Sequence, residues 1–183
     1  MEHNIFLIGF MGSGKSTISD YLSQHYAMEK IEMDQMIAQQ EGMSISEIFQ
    51  THGEEYFRNL ETDVLKELQG KGNVVVSCGG GTAMRECNVE LMKKNGKIVL
   101  LAASPQTIYE RVKDSHDRPL LEGHMDVSYI EELMEQRRTR YEAAADMVIQ
   151  TDGLDQASIC EELMRRLEEG ENAYGYSQKC DNR

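Results

Sequence analysis

The run Gly9-Phe10-Met11-Gly12-Ser13-Gly14-Lys15-Ser16 fits the pattern G-x-x-x-x-G-K-[ST], whose chemistry is the holding of phosphate. It follows the apolar Ile5-Phe6-Leu7-Ile8 and opens an amphipathic stretch at Lys15, the strand-before, helix-after context in which the pattern has mechanical meaning. Backbone N–H groups of Gly12, Ser13 and Gly14 can wrap phosphate oxygens, and the helix dipole favours negative charge there. Lys15 is placed to reach the β- and γ-phosphates, the Ser16 hydroxyl to ligate Mg²⁺, and Thr17 to support the loop from the first helical turn. A chance Gly-rich turn would lack this setting. The motif points to ATP with Mg²⁺ and leaves the second substrate open.

Further polar residues bear on that second substrate. Asp34 comes just after an apolar segment ending near Met33, where ligands bind in open parallel sheets. It can also serve as a helix N-cap, a compatible role. Arg58, next to Phe57, and Arg137 each offer a planar fork to a carboxylate. Arg58 can equally pair with Glu54 or Glu61 on its own helix, and Arg137 lies in a basic stretch with Arg138 and Arg140. Gly79-Gly80-Gly81 carries no side chains, so its backbone can approach a ligand closely; a mere sharp turn would not require three glycines.

Alternating apolar runs and amphipathic stretches must position these groups, and they predict βαβ units around a five-stranded parallel sheet. Strands are expected at Ile5–Phe10, Glu29–Met33, Asn73–Cys78, Lys97–Ala102 and Met147–Thr151. Helices are expected at Lys15–Tyr26, Gln35–Gln40, Ile45–His52, Glu54–Gly70, Cys87–Asn95, Pro105–Lys113, Tyr129–Ala144 and Gln156–Glu169. Ser44 with Glu47, and Ser128 with Glu131, match the capping box, while Ser104-Pro105 puts proline at a first helical position. The segment from Asp114 to Val127 is polar and aperiodic, as a lid would be. Residues 1–170 are expected to form one domain and 171–183 a disordered tail.

The chain of 183 residues is 40% hydrophobic, enough to bury a core without metal or disulfide staples. Its net charge of −13 disfavours nucleic acid and anionic membrane surfaces as partners. Four scattered cysteines, with no C-x-x-C, fit neither a disulfide framework nor a zinc site. No signal-peptide pattern or membrane-length apolar run occurs, so a cytoplasmic location, without membrane contact, is the expectation, as is a monomer.

The phosphate loop, Glu32-Met33-Asp34, the run Gly42-x-Ser44-Ile45-x-Glu47-Ile48-Phe49, Gly53-Glu54-x-x-Phe57-Arg58-x-x-Glu61, the triple glycine, Arg118-Pro119-Leu120-Leu121 and Leu133-x-x-x-Arg137-x-x-x-Tyr141 together resemble the shikimate kinase family, in order and spacing. The resemblance spans about residues 4–151 and implies a three-layer α/β/α phosphate-loop fold with a helical substrate-binding segment near 33–61 and a mobile lid near 114–127. It implies phosphorylation of the shikimate 3-hydroxyl by ATP, with Asp34 binding acceptor hydroxyls as a candidate base. Phe57, Arg58, Gly79, Gly80, Gly81 and Arg137 would surround shikimate. Arg118 would reach the phosphates from the lid, and Arg111 would stack on adenine. Near Thr151–Asp155 the family's arginine and proline are missing, so adenine recognition there would rest on backbone.

One departure stands out. The family's usual Asp at the first position of D-x-D is Glu32 here. Its counterpart supports Mg²⁺ through water, and the extra methylene would shift that geometry rather than abolish it. A gluconokinase-like small-molecule kinase and a non-catalytic binding relative are the rival functions.

Overall fold

The computed structural model describes residues 4–113 and 126–180, with side chains described through residue 170. Five strands form one parallel sheet: β1 (Asn4–Ile8), β2 (Glu29–Glu32), β3 (Val74–Ser77), β4 (Gly96–Ala102) and β5 (Met147–Gln150), in the order β2-β3-β1-β4-β5. The register pairs Phe6 with Val76 on one side and with Ile98 on the other.

All five residues of β1 are buried, as a strand covered on both faces requires. Its side chains alternate between two cores. Phe6 and Ile8 join Val74, Val76, Ile98 and Leu100 on one face, while Ile5 and Leu7 join Val75, Val99 and Leu101 on the other. Each fully buried side chain of this kind contributes about 1.5–3 kcal/mol relative to exposure. Helices α2 (Met33–Glu41), α3 (Ile45–Glu67), α4 (Glu86–Asn95) and α6 (Val127–Ala144) contribute to the first core. Helices α1 (Lys15–Tyr26) and α7 (Gln156–Cys180) cover the second. Helix α5 (Pro105–Val112) packs with α6 and with Phe10 in a smaller cluster.

Several local expectations meet their geometry. Ser44 and Glu47 form a reciprocal capping box, and Ser104 caps α5 with Pro105 in its first turn. The two helices expected on either side of Gly53 are there, merged across a kink at which Gly53 takes φ 82°, a conformation that disfavours any residue with a Cβ.

Others are corrected. The cap of α6 is Asp126, not Ser128. The Asp126 carboxylate accepts from Tyr129 N, and a charged acceptor at the positive helix end outcompetes a hydroxyl. Helix α2 begins at Met33, so Asp34 lies inside the first turn and Glu32 occupies the cap position without a side-chain cap bond. The strand β1 stops at Ile8 because Gly9 already begins the phosphate loop. Helical backbone in α7 extends to Cys180, past the Glu169 end expected for that helix. The lid segment expected over 114–127 falls, up to residue 125, outside the described residues, and Arg118 with it. Among the described residues no helix is long and apolar enough to cross a membrane.

Candidate active site

The site lies at the carboxyl ends of the strands, where β1 has β3 on one side and β4 on the other and the chain crosses in opposite directions. The phosphate loop connects β1 to α1. Lys15 Nζ donates to Gly9 O at 2.9 Å and Phe10 O at 3.0 Å, which folds its ammonium back over the loop. Ser13 Oγ is buried without a hydrogen-bond partner, an orphan donor inside a phosphate cradle. Thr17 is exposed on the first turn of α1. From α5, Arg111 Nη1 donates to Gly12 O at 3.1 Å, and its Nη2 to Thr151 O at 3.3 Å. Arg111 thus joins the loop to the segment after β5, where adenine contacts were expected.

Next to the loop stand hard oxygen donors. Ser16 Oγ donates to Glu32 Oε2 at 3.0 Å and lies 3.4 Å from Ser77 Oγ. One carboxylate with hydroxyls suits Mg²⁺, which keeps several waters and shares phosphate oxygens. Among the described residues there is no cluster of three or more His, Cys, Asp or Glu that would suit an all-protein metal cage.

Across the cleft, the turn Gly79–Gly81 is enclosed by side chains from three other segments. The Arg58 guanidinium lies so close to Gly81 that a Cβ there would force it to shift. A Cβ on Gly79 would lie 2.7 Å from Glu61 Oε1 and 2.9 Å from Asp34 Oδ1. Arg137 Nη1 donates to Gly80 O at 3.4 Å, and the Tyr141 hydroxyl donates to the same oxygen. Both guanidinium groups therefore lie against one turn. Arg137 also sits over the Phe10 ring, 5.9 Å from its centroid, which links this side to the phosphate loop. Phe57 is buried and packs on Phe49 with ring centroids 4.7 Å apart, beneath the Arg58 guanidinium.

Glu61 organises this wall. It is 0% exposed, and its two oxygens accept from Arg58 Nη1 at 2.8 Å and from Thr82 Oγ1 at 2.6 Å. Arg58 also meets Glu54 at 3.1 Å. The intrahelical pairing that sequence offered as a rival use of Arg58 is therefore real, and it aims the guanidinium at the glycine turn. Helical spacing of three residues was the signal for Glu61; its complete burial was not visible in sequence. Of the other two arginines in the basic stretch, Arg138 pairs with Glu135 at the surface, while exposed Arg140 donates to Met84 O at 2.6 Å and ties α6 to the short 3₁₀ turn Thr82–Met84.

Asp34 is exposed by accessible area, yet the protein around it pushes its carboxyl above the ordinary aspartate value. Crowding by protein is the main cause and the Glu61 charge the next, while Lys15 pulls the other way. Burial likewise raises the Tyr141 hydroxyl, so it remains a donor to Gly80.

A family model described as shikimate kinase matches residues 11–168. The chain belongs to the shikimate kinase family. A shikimate kinase of Sulfurihydrogenibium sp. is 39% identical over 164 residues, covering 90% of this chain and 97% of that one. The solved shikimate kinase of Acinetobacter baumannii, in complex with shikimate, superposes with a TM-score of 0.85 at 28% identity, covering 92% of this chain and 94% of that one. A gluconokinase of Sinorhizobium meliloti, at 21% identity and a TM-score of 0.62, shares the fold alone. As a shikimate kinase family member the chain is an enzyme of the phosphate-loop kinase class, with the parallel α/β architecture of its solved relatives.

Proposed function

We propose that this enzyme transfers the γ-phosphoryl of ATP to the 3-hydroxyl of shikimate, releasing shikimate 3-phosphate and ADP, and that the cleft described above is where it does so. The observation that carries the reading is the approach of Arg58 and Arg137 to one glycine turn, with Asp34 beside it and the phosphate loop across from it. Shikimate has a carboxylate at one end and three hydroxyls on its ring. Two guanidinium forks suit the first and an aspartate the second.

Gly12, Ser13, Gly14, Lys15, Ser16 and Thr17 hold the triphosphate in this reading, with the buried Ser13 hydroxyl finding its partner in a phosphate oxygen. Mg²⁺, fitted by Ser16 and by Glu32 through water, would neutralise charge on the β- and γ-phosphates. Lys15 leaves the Gly9 and Phe10 carbonyls for the γ-phosphoryl, and Arg118 and Arg111 act from the lid and the adenine side, as in the family. Asp34 orients the 3-hydroxyl. As the new O–P bond forms, the γ-phosphorus bond to the bridging oxygen breaks, its electron pair leaves with ADP, and the hydroxyl proton passes to Asp34. Such transition states are loose, so positioning and charge outweigh base strength. We place the reaction in the cytoplasm, where ATP is available.

An ADP-release assay with ATP, Mg²⁺ and a panel of acceptors tests this. Turnover that depends on shikimate is expected; turnover with gluconate and none with shikimate would overturn it.

A further inference from the structure

Glu32 stands where the family resemblance implies an aspartate, and the geometry around it shows how the longer arm is held. The Glu32 side chain turns away from capping α2 and toward α1. Its Oε2 accepts from Ser16 Oγ at 3.0 Å, and its Oε1 accepts from Ser19 Oγ at 2.9 Å. Ser16 and Ser19 stand three residues apart on one face of α1, so the two hydroxyls meet the two oxygens of one carboxylate. Lys30 Nζ stands 3.2 Å from the same Oε1 and is itself bonded to Asp20 Oδ1 at 2.6 Å.

Ser19 is 0% exposed and has one hydroxyl proton with two acceptors in reach, the Ser16 carbonyl and Glu32 Oε1, each at 2.9 Å. The charged oxygen is the stronger acceptor and takes the proton. A glutamate has one more rotatable bond than an aspartate. Two partners on its far oxygen remove that freedom and leave the near oxygen facing Ser16.

We propose that Ser19, backed by Lys30, is a positioning residue for the metal site: it pins Glu32 so that a glutamate serves where the family carries aspartate. This rests on the Mg²⁺–ATP reading above. Ser19 touches neither nucleotide nor acceptor and acts through Glu32.

Calorimetric titration of the full chain with ADP, at graded Mg²⁺ and in EDTA, tests it with Ser19→Ala, Glu32→Asp and the double variant. The wild type is expected to bind ADP more tightly as Mg²⁺ rises. In Ser19→Ala the Mg²⁺ concentration giving half of that gain should increase severalfold, short of the roughly tenfold or greater loss typical at a partner of a direct metal ligand, because Glu32 reaches Mg²⁺ through water. ADP affinity in EDTA should stay unchanged. In the Glu32→Asp background, where the arm is too short to use Ser19, Ser19→Ala should add no shift. Lys30→Gln should move the Mg²⁺ dependence in the same direction by less. An unaltered Mg²⁺ dependence in Ser19→Ala, an equal loss of ADP affinity with and without Mg²⁺, or the same shift in the aspartate background would each overturn the assignment. Mg²⁺-independent ADP binding by the wild type would instead overturn the nucleotide reading on which it stands.

Discussion

On the phosphate side of the cleft, the polar groups sit in one contiguous run and satisfy themselves provisionally. Lys15 borrows the carbonyls of Gly9 and Phe10, and Ser13 Oγ has no partner at all. On the acceptor side, Asp34, Arg58, Glu61, Gly79–Gly81, Arg137 and Tyr141 come from four separated segments, and Arg58 is already held by a fully buried carboxylate. The first region holds Lys15 on its own loop backbone and leaves the Ser13 hydroxyl open. The second is cross-braced, with Glu61 bonded to both Arg58 and Thr82. In the proposed reaction the first arrangement would hand its groups to phosphate, and the second would present prearranged groups to the acceptor.

That contrast can be broken at four points. Lys15→Ala removes the ammonium folded over the loop and should lower kcat by about 10³-fold while shikimate affinity stays unchanged. A parallel loss of shikimate binding in calorimetry would show that the two halves are not separable. Asp34→Asn should lower kcat on the order of 10²-fold. It should raise the thermal midpoint only slightly, because Asp34 is exposed and water screens its charge. The folded-state pKa of Asp34 lies above its unfolded value, so its contribution favours folding at low pH and is lost as pH rises through that raised pKa; at neutral pH the ionised group costs stability. For the same reason the acid limb of kcat against pH should fall above the usual aspartate range, and a limb at the ordinary value would count against Asp34 as the group that must be ionised.

Arg58→Ala should raise the KM for shikimate between about 10- and 100-fold, the worth of one charge-assisted pair, with the KM for ATP little changed. Equal effects on both would mean that Arg58 supports the cleft as a whole. The mildest is Tyr141→Phe, which deletes the bond to Gly80 O and should cost about 1 kcal/mol in thermal or denaturant unfolding, with at most a small rise in shikimate KM.

Much of this was legible before any coordinates. The phosphate loop is local, so its consequences follow from strand, glycines and helix dipole in sequence order. The pairing of odd and even residues of β1 with different cores follows from the two-residue period of a strand. The residues that the family resemblance implied for the acceptor lie around one turn. What sequence misjudged were choices between near-equal local options. The start of α6 went to Asp126 rather than Ser128 because a carboxylate wins at a helix N-terminus, and Glu32 rather than Asp34 took the cap position of α2.

The residue order alone determined the strand–loop–helix that holds phosphate, the parallel α/β class and the identity of the charged groups, because each depends on neighbours within a turn or two. Only the tertiary structure decided that Glu61 is buried between Arg58 and Thr82, that Arg137 lies over Phe10, and that Glu32 reaches back to Ser16 and Ser19. The physical reason is that exclusion of water, which sets the strength and direction of a charged contact, arises from segments far apart in the chain closing on one another, and no local pattern encodes it.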